Sequence, residues 1–119
     1  MSRVVLVVDD DPAFRDLARR ILAVFGLEVA AEAGTAAAAL AVASALRPDA
    51  MLVDVGLPDR DGVDLARELS ALPWRPRVVL TSSDVDAARA EDVAASGAHA
   101  FVPKLLLPNV ALGELLGGA

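Results

Sequence analysis

The chain opens on Val4–Val8, a continuous apolar and mostly β-branched run. A strand without polar alternation is buried on both faces, as in a parallel sheet. Asp9, Asp10 and Asp11 end the run, and Asp11-Pro12 starts a helix with Asp as cap and Pro at its first position. Phe14, Leu17, Ala18, Ile21, Leu22 and Phe25 then recur at helical spacing up to the stop at Gly26. The same alternation continues. Leu27–Ala31 predicts a second strand, and an Ala-rich helix follows from about Ala36 to Leu46, ended by Arg47-Pro48. Ala50–Val53 predicts a third strand, running into Asp54. After the Gly56, Pro58 and Gly62 loop comes a helix from about Val63 to Leu72. Val78–Leu80 predicts a fourth strand ending at Thr81. Ser83-Asp84-Val85-Asp86 resembles a capping box for a helix stopping at Gly97. Ala100–Val102 predicts a short fifth strand, Lys104 follows it, and a last helix is expected near Asn109.

Five strands alternating with five helices predict an α/β fold with a parallel sheet and right-handed crossovers. No repeat, linker or composition shift divides the chain, so residues 1–119 are expected to form one domain. Asp9, Asp10, Asp54, Thr81 and Lys104 each fall just past the C-terminal end of a predicted strand. Ligands bind at that edge in open parallel sheets. Separations of 44, 27 and 23 residues (10 to 54, 54 to 81, 81 to 104) therefore collapse into one cleft.

Composition narrows the classes. Hydrophobic residues make up 55% of the chain but only three Phe and one Trp are aromatic, so the core must be aliphatic. The net charge of −6 argues against broad binding to nucleic acid or anionic membrane. Cys is absent, which excludes disulfides and thiolate metal sites and fits a reducing, cytoplasmic setting. Val4–Val8 is too short for a membrane span or a signal-peptide core.

Clustered carboxylates repel one another and favour a hard cation; magnesium suits carboxylate oxygen and keeps several waters. Such a site handles phosphate, with an Asp able to act as nucleophile and form an acyl phosphate. Lys104 would neutralise one phosphoryl oxygen and Thr81 would donate to another. Blander readings stand beside these. Asp11 is better read as a helix cap, whereas Asp9 and Asp10 together exceed what one cap needs. Alone, Thr81 is a strand residue, Lys104 a solvated surface residue and Phe101 a core aromatic. His99 is given no role and Trp74 is expected in an exposed loop. Arg15, Arg19 and Arg20 are expected to form a solvated basic face.

Four segments carry a family resemblance: Val7-Val8-Asp9-Asp10-Asp11-Pro12, Asp54-Val55-Gly56-Leu57-Pro58-Asp59-Arg60-Asp61-Gly62, Leu80-Thr81-Ser82 and Phe101-Val102-Pro103-Lys104. In this order and spacing the chain resembles the receiver domain of two-component response regulators, of the chemotaxis-receiver kind, over essentially its whole length. The resemblance implies a flavodoxin-like (βα)5 three-layer sandwich with strand order 2-1-3-4-5. It implies that Asp54 takes a phosphoryl group from a phosphohistidine on a histidine kinase or histidine phosphotransfer protein. Mg2+, with Mn2+ as a substitute, would be held by Asp10, Asp54, the Gly56 backbone carbonyl and, mainly through water, Asp9. Thr81 and Lys104 would bind phosphoryl oxygens, and Phe101 would be the aromatic that turns inward as Thr81 moves. Contacts to an output partner, or to a second copy through the last helix-strand-helix face, would then change. Direct nucleic-acid binding, membrane binding and turnover of outside substrates are not expected.

Three departures qualify the resemblance. Leu105 follows Lys104 where many receivers have Pro, and Pro103 precedes it instead. Gly56 stands where the family often has a larger, shielding side chain, which predicts a short-lived phosphoryl state. The last helix is weakened by Pro108 and by Gly113, the latter at about 1 kcal/mol relative to Ala. Its apolar face (Val110, Leu112, Leu115, Leu116) is expected to dock while its end frays. Two other readings remain: a pseudo-receiver that works by contact alone, and a small phosphatase, for which the usual Asp-x-Asp arrangement is missing at position 56. A stand-alone regulator and a piece of a longer protein both fit the chain.

Overall fold

The computed structural model describes residues 3–109 and 112–117. Its elements alternate as the apolar runs predict: β1 (Val4–Val8), α1 (Pro12–Val24), β2 (Glu28–Ala33), α2 (Ala36–Leu46), β3 (Ala50–Asp54), α3 (Gly62–Ser70), β4 (Arg77–Ser82), α4 (Ala90–Ser96), β5 (Ala100–Pro103) and α5 (Leu112–Gly117). The five strands form one parallel sheet of order 2-1-3-4-5. That is the flavodoxin-like arrangement the resemblance implies.

Successive strand side chains point to opposite faces, and both faces of β1 are buried. Val5 and Val7 pack with Phe14, Ala18 and Leu22 of α1 and with Leu116 of α5. Leu6 and Val8 pack on the other side with Ala39 and Ala43 of α2 and Leu65 and Leu69 of α3. The unbroken apolar run of β1 follows from this double coverage. The buried residues of α2 are the small side chains Ala36, Ala39 and Ala43. Among the described residues, no helix is long and apolar enough to cross a membrane.

Two local expectations are corrected, and the last helix is broken early at Pro108 as its sequence predicts. Ser83–Asp86 caps no helix. Ser82 Oγ accepts from the Asp84 amide at 3.0 Å and Asp84 Oδ1 from the Asp86 amide at 2.9 Å. Those oxygens satisfy consecutive tight turns instead, and α4 begins only at Ala90, after an Arg89 N-cap with no side-chain cap bond. The stretch from Lys104 to Asn109 is a 3-10 helix with Pro108 inside it, and α5 starts at Leu112. Proline's missing amide and its clash with the carbonyl four residues back keep Lys104–Asn109 from forming a regular α-helix. Leu116 is fully buried, so the short α5 does dock; Val110 and the chain's last residues, where fraying is expected, lie outside the described residues. Finally, Trp74 is half-buried rather than loose: its Nε1 donates to Pro48 O at 2.8 Å, and the Arg47 guanidinium lies 4.7 Å from its ring centroid.

Candidate functional site

The sheet order brings the C-terminal ends of β1, β3, β4 and β5 to one edge, so residues from four strand ends face one cleft. Asp9 follows β1 and is fully buried. Its amide donates to Ala33 O at 2.9 Å and its Oδ1 accepts from the Asp11 amide at 2.9 Å. Asp10 is exposed at the mouth, and Asp54 closes β3 with 6% of its surface exposed. One carboxylate oxygen from each of Asp9, Asp10 and Asp54 lies within 4.8 Å of the others.

Lys104 reaches into this cluster from just beyond β5. Its Nζ sits 2.7 Å from Asp9 Oδ2 and 3.9 Å from Asp54 Oδ2, and 4.1 Å from the centroid of the Phe14 ring. One ammonium cannot neutralise three carboxylates. Asp9 Oδ2 remains a buried oxygen without an aligned hydrogen bond, despite the nearby ammonium. Asp54 is held above the ordinary carboxylate range by burial first and by the Asp9 charge second, with Lys104 only partly offsetting them. Its sole side-chain hydrogen bond among the described residues is a long one, from the Gly56 amide at 3.3 Å. An under-compensated trio of carboxylates with a buried, unaligned oxygen fits a hard divalent cation.

Thr81 pairs with Asp54 across β3 and β4. Its buried hydroxyl donates to Val102 O on β5 at 2.6 Å, so in this state it is committed to the neighbouring strand. Phe101, one residue earlier on β5, is half-buried against the α2–α4 side of the core. Gly56 leaves open space: a Cβ there would meet nothing closer than Asp54 Oδ2 at 4.0 Å.

Sequence reasoning treated the rest of the β3–α3 loop as turn chemistry, and here it missed three working residues. A Cβ on Gly62 would lie 2.2 Å from Asp54 O and 2.6 Å from Val55 Cα, so only glycine lets α3 start against the backbone that carries Asp54. Gly62 N donates to Val55 O at 2.8 Å, and Gly56 bridges to Asp61, closing the loop on itself. Asp59 reaches across to accept from the Ala36 and Ala37 amides at 2.8 and 3.1 Å, capping α2. These donors hold its carboxyl below the usual range. Phe14 is read only as part of the helical spacing of α1, and nothing in that spacing reveals that its ring lies under Lys104. The basic face of α1 is largely paired: Arg15 and Arg19 with Glu32 and Arg20 with Asp16.

Known proteins are similar to this chain in sequence and fold. The family model for the response regulator receiver domain matches residues 5–113. A protein-glutamate methylesterase/protein-glutamine glutaminase 2 of Anaeromyxobacter dehalogenans is 45% identical over 86 residues, 71% of this chain and 25% of that protein. The DNA-binding transcriptional activator DevR/DosR of Mycobacterium tuberculosis is 39% identical over 105 residues, 87% of this chain and 48% of that protein. The chain thus spans a quarter to a half of the length of these relatives. Among solved structures, a LuxR-family two-component response regulator from Aurantimonas superposes with a TM-score of 0.88 at 26% identity, covering 99% of this chain and 87% of that one. With its sheet order and the carboxylates at its strand ends, the chain belongs to the response regulator receiver domain family.

Proposed function

We propose that Asp54 is a phosphoacceptor, loaded from a phosphohistidine on a histidine kinase or histidine phosphotransfer protein. The observation that carries the reading is the buried Asp54 carboxylate, crowded by Asp9 and Asp10 and faced by the Lys104 ammonium at 3.9 Å. An Asp54 carboxylate oxygen attacks phosphorus as the phosphorus–nitrogen bond to the donor imidazole breaks; the imidazole leaves with that electron pair and takes up a proton from solvent. Water later attacks phosphorus and frees the carboxylate. Asp9, Asp10, Asp54 and the Gly56 carbonyl would hold Mg2+ or Mn2+, which when bound supplies the charge that lets an anionic phosphoryl group approach three carboxylates.

Lys104 neutralises a phosphoryl oxygen, moving away from Asp9 to do so. Thr81 donates to another only by releasing Val102 O, and that exchange is the step that reaches β5 and Phe101. A local charge event thereby biases a two-state strand end. The surface that responds is α4, β5 and α5, where an output partner or a second copy would dock. The chain works in the cytoplasm as a binding module of a two-component system. It turns over no outside substrate and contacts neither nucleic acid nor membrane itself.

The test is intact mass after incubation with magnesium and a small-molecule phosphodonor. A magnesium-dependent phosphoryl adduct lost in Asp54→Asn is expected. Absence of any adduct would replace this reading with a pseudo-receiver, and steady turnover of unrelated phosphate esters with a phosphatase. The bare Gly56 admits water, so Gly56→Met and Gly56→Arg should lengthen the adduct's lifetime; an unchanged lifetime would sink that part.

A further inference from the structure

The opposite end of the sheet carries a second site. The last turns of α3 and α4 and the starts of β4 and β5 line an open cleft of about 580 Å³. Arg77 begins β4 and Thr81 lies four residues on, so about 13 Å of strand separates the cleft from the carboxylate cluster. The volume falls within the roughly 300–1,000 Å³ of small-molecule sites.

Its charge is the reverse of the chain's. The protein has a net charge of −6, yet Arg67, Arg75, Arg77 and His99 line the cleft and no Asp or Glu does. The guanidinium groups are weakly committed. Arg77 spends Nε on Leu115 O at 3.0 Å. Arg67 lies 3.8 Å from Asp64 in a mostly exposed pair, an arrangement of little strength. Arg75 forms no ion pair or side-chain hydrogen bond among the described residues.

Two further observations fall on residues of the same lining. Ser70 Oγ is buried and has no hydrogen-bond partner among the described residues. Gly97 packs directly over it: a Cβ there would press on Ser70 Cβ at 3.0 Å and Oγ at 3.3 Å. Arg75 is held at φ 51°, a left-handed backbone that favours glycine. Cations near helix C-termini complement the helix dipoles, which accounts for Arg67. Arg75 and Arg77 lie outside both helices, and the dipoles explain neither the left-handed arginine nor the unpartnered hydroxyl.

We propose that this cleft binds a small phosphorylated anion carrying two or more negative charges. The Arg67 and Arg75 guanidinium groups supply counter-charge in the fork geometry that suits phosphate oxygens, and Arg77, anchored to Leu115 O, adds its charge from the sheet's end. The concavity selects a compact ligand over a flat membrane or a duplex. The site does not depend on phosphorylation of Asp54.

The test uses the full chain as Asp54→Asn without divalent metal, which removes the carboxylate site as a competitor. Inorganic pyrophosphate and ADP are titrated against amide resonances, with chloride and sulfate at matched ionic strength. Saturable shifts centred on Ser70, Gly97 and His99 are expected, with affinity at least tenfold above sulfate. Arg67→Gln and Arg75→Gly should each weaken binding at least fivefold. Arg75→Gly also relieves the left-handed backbone, so a loss there is not a folding defect. Burial and the Arg77 charge hold the His99 imidazole below its usual range, and bound pyrophosphate should raise it. Shifts that track ionic strength alone, that both variants leave unchanged, or that centre on the strands' C-terminal edge would overturn the proposal.

Discussion

Gly62→Ala sets two physical expectations against each other. Gly62 is the first residue of α3 and its backbone is not left-handed. Helix propensity and the reduced freedom of the unfolded chain therefore favour alanine by about 0.4–1 kcal/mol. Packing opposes it. The new methyl would sit 2.2 Å from Asp54 O, 2.6 Å from Val55 Cα and 2.9 Å from Asp54 C. Relative to a van der Waals spacing of about 3.5 Å, the first contact is short by about 1.3 Å. All three atoms are backbone, so no side chain can rotate away. Overpacking that forces backbone shifts costs about 1–3 kcal/mol, and this site belongs at the upper end. The net expectation is a loss of about 2 kcal/mol, which moves the urea midpoint down by about 1 M for a slope near 2 kcal/mol/M. Gly56→Ala is the matched control: its Cβ meets nothing within van der Waals contact except Asp54 Oδ2 at 4.0 Å. Its midpoint should stay nearly unchanged. Because the displaced atoms carry Asp54, Gly62→Ala should also slow magnesium-dependent phosphoryl uptake. A variant as stable as the parent, or more so, would refute the close approach.

Asp54→Asn should stabilise the metal-free protein at neutral pH, because the folded state holds this carboxyl above its ordinary 3.8 and its ionised form is disfavoured there. The gain should fade as pH drops through the folded pKa toward 3.8, and magnesium should narrow it at pH 7, both read from urea midpoints. Glu32 behaves oppositely: Arg19 and Arg15 hold it below 4.5, so its contribution is present above 4.5 and lost as pH falls through the folded value. Glu32→Gln should flatten that acid limb in melts between pH 5 and pH 2, conditions chosen to span the roughly two units around a carboxylate pKa. Trp74→Phe should cost about 1 kcal/mol by removing the hydrogen bond to Pro48 O. A midpoint shift indistinguishable from zero would return Trp74 to the loop role its flanking prolines suggest.

The sheet was legible because double burial writes itself as unbroken apolar runs, and β1 and β3 show this most plainly. The convergence of Asp9, Asp10, Asp54, Thr81 and Lys104 followed from strand ends alone, before any geometry. What was hidden lies where one residue has two partners to choose from. Ser83–Asp86 could cap a helix or form turns, and spacing does not distinguish these outcomes. Trp74 finds Pro48, 26 residues away, through an approach of loops that no local pattern encodes. Asp59 capping α2 from 23 residues downstream is hidden for the same reason. Gly62 was visible as a glycine, but only the distance to Asp54 O distinguishes a necessary one from a convenient one.

The β3–α3 loop has a consequence for how this scaffold can be re-engineered. Surface loops usually accept insertions at small entropic cost. This one is fixed at three points: the Gly56–Asp61 bridge, the seat of Gly62 on Asp54, and the reach of Asp59 to the start of α2. One added residue between Asp54 and Asp59 would break its register and strip the Ala36 and Ala37 amides of Asp59, leaving Thr35 as the cap of α2. The length of that segment is therefore set to the residue, and a fused sensor or tag belongs elsewhere. The exposed turns at 83–86, whose hydrogen bonds are local, are the better place to cut and join.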